Sequence, residues 1–197
     1  MSRFQLFLEM GFNHIADLQG YDHILFILAL CGVYLLQQWR QVLILVTAFT
    51  VGHSITLALA TLNILAVDSA LIEFLIPLTI VLTALLNILQ KRVQFSRRIH
   101  LAKYLTALFF GLIHGLGFSY YLRSMLGQEA SIVKPLLAFN IGLELGQIAI
   151  VLIILIVAQL IVRLMHAPQR EWNLVISGSA LGIATVLMLE RLAPLAA

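Results

Sequence analysis

Apolar residues run along this chain in stretches of about 20, broken by short polar segments, and roughly 20 helical residues at 1.5 Å each cover the 30 Å hydrocarbon core of a bilayer. The stretches are approximately Gly20 to Leu36, Val42 to Leu62, Ala70 to Leu89, Leu101 to Leu122, Ile132 to Leu164 and Asn173 to Leu192. They predict about six transmembrane helices, the first short and the fifth long enough to tilt or protrude. Ahead of them Phe4, Phe7, Leu8, Phe12, Ile15 and Leu18 recur at three-four spacing, with Gln5, Glu9, Asn13 and Asp17 on the other side. That pattern predicts an amphipathic interfacial helix over residues 1–19 rather than a signal peptide, which opens on basic residues and a continuous apolar core. The expected fold is all-α: one transmembrane domain over 1–197, with a polytopic helical bundle over 20–192. Strand-length alternation is missing, which argues against a barrel. One internal echo, AFTVGH in the second stretch against FFGLIH in the fourth, is too short to support a duplication.

Composition fits the same picture. The chain is 61% hydrophobic and 11% charged, with a mean hydropathy of +1.02, whereas soluble domains are about 25% charged. Lipid must therefore solvate much of the surface, and the net charge of +3 carries no implication of nucleic acid. The lone cysteine, Cys31, permits no internal disulfide. Basic residues gather after the first, third and fifth stretches, at Arg40, then Lys91, Arg92, Arg97, Arg98 and Lys103, then Arg163 and Arg170. The positive-inside bias then places the KRVQFSRR loop in the cytoplasm and both termini outside, in a membrane expected to be the bacterial inner one. Glu9, Asp17, Asp22, Asp68, Glu73, Glu129 and Glu190 fall at or near the outer face, where they would concentrate cations.

Ionisable groups inside membrane helices cost several kcal/mol, so those that persist usually face the protein interior and have partners. Here they are Asp22 and His23 in GYDHILF, His53 in TAFTVGHS, His114 in GLIHGLGF, and Asn140 and Glu144 in FNIGLELGQ, with Glu73 opening the third stretch. The helix directions put His53, His114, Asn140 and Glu144 between mid-membrane and the outer face, and Asp22, His23 and Glu73 near outer ends. Imidazole and carboxylate are the usual ligands of zinc, nickel or cobalt, so the set is expected to hold a divalent transition metal. Asp22, His23, His53, His114 and Glu144 are the principal candidates, and His14, Glu73 and Asn140 are accessory ones. His100 and His166 read as solvated loop residues, and Ser54 as a serine bonding back to its own helix.

At HIADLQGYDHILF, TAFTVGHSITLAL, GLIHGLGF and FNIGLELGQ the sequence resembles the second branch of the HupE/UreJ family. These are hydrogenase and urease accessory membrane proteins regarded as nickel or cobalt permeases. The resemblance implies a small polytopic permease in which Asp22, His23 and His114 handle metal. The residues themselves leave three readings open. The first is a metal permease. The second is an intramembrane zinc hydrolase open to the outer face, with Glu144 or Asp22 as general base. The third is an accessory subunit whose polar cluster only joins helices; under all three the partners are the lipid bilayer and, as an open possibility, a second copy of the chain.

Overall fold

The computed structural model describes residues 2–90, 97–126 and 132–195, all helical or in connections. The basic stretch at 91–96 and Glu129 lie outside the described residues. The helices are α1 (Arg3–Ile15), α2 (Asp22–Cys31), α3 (Trp39–Thr61), α4 (Ser69–Leu89), α5 (Arg97–Gly117), α6 (Ser119–Leu126), α7 (Val133–Gln159) and α8 (Gln169–Leu195). A 3-10 turn at Leu36–Gln38 leads into α3, and a π turn at Leu160–Leu164 ends α7. Among the described residues, five helices are long and apolar enough to cross a membrane: α3 with its leading turn, α4, α5 from Ile99, α7 with its π turn, and α8. The first expected span shortens to α2, whose 10 residues extend about 15 Å, half a bilayer core. The fourth divides at Gly117 and Phe118 into α5 and the short α6. Leu86, Ile153 and Val175 are among many large apolar side chains facing outward, as lipid contact requires.

The end of the bundle with the α3–α4 connection is here termed upper, and the end with the α4–α5 connection lower. Local signals account for the connections. Ser2 and Gln5 form a reciprocal capping box at the start of α1 (Gln5 N to Ser2 Oγ 3.2 Å, Ser2 N to Gln5 Oε1 2.9 Å). α3 stops where Asn63 takes φ 59°. Ile64 N there donates to Leu59 O at 2.9 Å and Asn63 N to Ala60 O at 3.1 Å, which satisfies carbonyls the helix leaves open. Asp68 caps α4 through Leu71 N at 3.0 Å.

Half-buried cations tie the ends together. Pro77 inside α4 has no N–H to give to the carbonyl of Glu73. Arg191 of α8 fills that gap, donating from Nη1 to Glu73 O at 3.2 Å and pairing with Asp22 Oδ2 at 3.0 Å. At the lower end Arg170 donates to the C-terminal carbonyls of α4, to Ile88 O at 2.6 Å and Gln90 O at 2.8 Å. Asn87 Nδ2 reaches Ala29 O at 2.6 Å, and Asn173 Nδ2 reaches Asn87 O at 2.9 Å. Hydrogen bonds to charged donors are each worth about 1.5–3 kcal/mol. Arg170→Met is therefore expected to lower the Tm of the detergent-purified protein by about 5–10 °C. An unchanged Tm would show that the helix end is satisfied without it.

Glycines set the closest helix contacts. α1 runs parallel to α7, and α3 runs parallel to α5. A methyl group at Gly11 would collide with the carbonyl oxygen of Phe139 and stand 3.0 Å from Leu143 N; at Gly142 it would collide with Leu8 O and stand 3.0 Å from Phe12 N. The second pair has the same geometry. A methyl group at Gly111 would collide with Phe49 O and stand 3.0 Å from His53 N, and one at Gly52 would collide with Leu108 O and stand 3.0 Å from Leu112 N. Small residues at such crossings allow backbone to touch backbone. α1 thus buries Phe7, Gly11 and Ile15 along the upper half of α7, descending beside it, whereas α3 and α5 ascend.

Candidate metal centre

Four histidines from four helices meet in the upper half of the bundle. His14 ends α1, His23 begins α2, His53 follows Gly52 on α3, and His114 lies between Gly111 and Gly115 on α5. The two glycine crossings draw these helices together, and the rings converge. Centroid separations are 4.6 Å for His14–His23, 5.8 Å for His14–His53, 5.8 Å for His23–His53 and 5.1 Å for His23–His114. Two imidazoles on one tetrahedral ion, with metal–nitrogen bonds of about 2.0–2.1 Å, would have centroids about 5 Å apart.

His23, His53 and His114 are buried and His14 is half-buried, and most of their ring nitrogens lack partners. His53 is 0% exposed and His114 1%. His14 Nε2, His23 Nε2, both nitrogens of His53 and His114 Nδ1 have no hydrogen-bond partner. His114 Nε2 meets Thr79 Oγ1 at 2.9 Å. Histidines that only joined helices would spend their nitrogens on neighbours, because each buried unsatisfied polar group costs about 1–3 kcal/mol. Even so, among the described residues no three His, Cys, Asp or Glu side chains have their donors converged for an ion. The rings would have to turn to bring their nitrogens together.

The carboxylates expected beside the histidines are held elsewhere. Asp22 is adjacent in sequence to His23 but pairs with Arg191. Glu73 is exposed at the upper end, its Oε1 accepting from Ser69 Oγ at 3.4 Å. Glu144 turns to α3, where Thr47 Oγ1 donates to its Oε1 at 2.6 Å, while Oε2 is buried without a partner. Asn140 Oδ1 is likewise buried and unpartnered, and Gln147 Oε1 accepts from Thr50 Oγ1 at 2.7 Å. Ser54 does bond back to its own helix, to Thr50 O at 2.7 Å. His166 forms the turn after α7, at φ 57°.

Above the centre lies an open depression of about 1030 Å³ lined by His14 and Phe118 and by the polar Glu9, Asn13, Asp17 and Gln19. Each end of the histidine group also has its own aromatic pair. Phe118 packs on His14 at 3.9 Å and stacks with Phe139 at 5.2 Å. On the other side Phe26 lies 5.2 Å from His114 and stacks with Phe49 at 4.8 Å. With Leu8-x-x-Gly11-x-x-His14 in α1 against Leu108-x-x-Gly111-x-x-His114 in α5, and Phe139-x-x-Gly142 in α7 against Phe49-x-x-Gly52 in α3, the two helix pairs match at these positions while running in opposite directions. Sequence reading missed this correspondence because it compared α3 with α5, which are partners within one pair. It also missed Thr79, which recurs with Thr83 and Asn87 at helical spacing on α4.

A family model described as HupE / UreJ protein matches residues 1–191. No curated protein and no solved structure matches the chain.

Proposed function

The chain belongs to the HupE/UreJ family, and on that premise we propose that it is a permease for a divalent transition metal of the nickel or cobalt type. The ion would be received by His14, His23, His53 and His114. The observation that carries this reading is the group of buried and half-buried histidines from four helices whose nitrogens are largely left without partners. Cation transfer needs ligands that can take an ion and give it up, and neutral imidazoles suit late first-row divalent metals. The open depression with Glu9 and Asp17 above His14 supplies an acidic approach. With the upper end outside, as the loop charges favour, the approach is extracytoplasmic.

Two observations favour transport over hydrolysis. Asp22, one of the two candidate general bases, is paired with Arg191, and Glu144 is turned to Thr47 on α3 through one of its oxygens. The matched, oppositely running helix pairs also resemble the inverted architecture that places substrate sites at a repeat interface near mid-membrane. Purified protein reconstituted into liposomes is expected to accumulate radiolabelled nickel or cobalt well above protein-free vesicles. Tight, stoichiometric metal with no accumulation would support the hydrolase instead, and neither binding nor accumulation would support a metal-free accessory subunit.

A further inference from the structure

A route across the membrane needs a polar lining below the histidines as well as above them. α4 provides one. Thr79, in contact with His114 Nε2, is followed at four-residue intervals by Thr83 and Asn87, and then by Gln90 at the helix end. These residues descend a single helix face. Thr83 Oγ1 donates to Thr79 O at 2.8 Å, so its own oxygen can still accept a cation or a water. Thr83, Asn87 and Gln90 line a cavity of about 250 Å³ between α2, α4 and α5, which also receives Tyr34, Lys103 and Phe110. Phe110 of that lining belongs to an aromatic group that reaches His114. Phe26 stacks with Phe49 at 4.8 Å and lies edge-on to Phe110 at 6.1 Å, and Phe26 and Phe49 stand 5.2 and 5.1 Å from His114.

We propose that this cavity and the Thr79–Thr83–Asn87–Gln90 face of α4 form the lower half of the ion's path, closed from the histidine centre by the rings of Phe26, Phe49 and Phe110. The proposal rests on the permease reading. Of the equivalent pair above, Phe118 and Phe139 beside His14, Phe118 borders the open depression, so the structure is accessible from above and shut below. Exchange of the two helix pairs' arrangements would close the upper pair and open the lower, which is how inverted repeats alternate access. Lys103 stands at the lower end of the path, 3.4 Å from Gln90 Oε1 and over the Tyr34 ring at 5.2 Å.

The test places one thiol in the cavity, Thr83→Cys on a Cys31→Ser background, in sealed vesicles of either orientation. A charged methanethiosulfonate reagent is expected to react at least tenfold faster from the lower face than from the upper. Adding Phe26→Ala is expected to raise the upper-face rate several-fold, and labelling is expected to cut nickel uptake at least fivefold. Equal rates from both faces, no reaction from either face, or full uptake after complete labelling would overturn the route. Because the Thr83→Cys protein carries the sidedness comparison with its aromatic residues intact, a misfolded Phe26 variant does not decide the outcome. Uptake by the unlabelled protein separates the two levels: its presence with a failed labelling pattern leaves the permease and removes this path, while its absence removes both.

Discussion

Replacing His53 by leucine is expected to lower nickel or cobalt bound by the purified protein at least tenfold and, at the same time, to raise its Tm. His53 is 0% exposed and both its ring nitrogens lack partners. In the metal-free protein that imidazole is a burden, because each unsatisfied buried group costs about 1–3 kcal/mol and leucine of similar volume carries no such cost. In a chain of this size 1 kcal/mol moves Tm by about 2–4 °C, so a rise of about 2–8 °C is expected. His114→Leu should lose the metal equally but gain less stability, since it also gives up the 2.9 Å contact with Thr79. Metal content by mass spectrometry and Tm by light scattering, on chelator-free detergent preparations, read both effects. His166→Asn, in an exposed turn at φ 57° that asparagine tolerates, serves as the control and should change neither. A fall in Tm with metal retained would mean that the histidines join helices and bind nothing.

The second large effect is structural. Gly111→Leu is expected to eliminate the folded, monodisperse protein, because its side chain would have to occupy the position of the Phe49 carbonyl and displace backbone rather than a flexible tip. Overpacking usually costs about 1–3 kcal/mol and more where the neighbour cannot yield, against a total stability of about 5–15 kcal/mol. The same change would push apart the helices that carry His53 and His114. Gly178→Ala and Gly182→Ala on α8 meet nothing within 4 Å and should be neutral or slightly stabilising, as helix propensity favours alanine. Size-exclusion profiles of the three variants make the comparison. A well-folded Gly111→Leu protein would show that the α3–α5 crossing can open without loss of the bundle.

Hydropathy was a reliable guide where a helix is long and its surroundings are lipid, because length and apolarity alone satisfy that solvent. It served less well at the first stretch, where ten residues form α2 and the chain then turns at Gly32, pressed against Ser177 and Asn173 of α8. The fourth stretch likewise divides at Gly117–Phe118, and no run of apolar letters marks that break. Among the site residues, the histidines were visible because imidazole is costly in a membrane interior. Glu144 and Asp22 were visible for the same reason, yet the partners that hold them, Thr47 and Arg191, lie 97 and 169 residues away in sequence.

What the sequence determined by itself was therefore the solvent, the class of fold and the ionisable residues that a membrane interior makes candidates for a site, since each depends on composition and on spacing along a single helix. Tertiary structure alone decided that four histidines form one group, that the carboxylates are engaged elsewhere, and that α1 with α7 matches α5 with α3. Those outcomes depend on which helices touch, and here that is set by backbone contacts at Gly11, Gly52, Gly111 and Gly142. A glycine in a membrane helix is common, and only the neighbour that fills its missing side chain distinguishes a crossing point from an idle position.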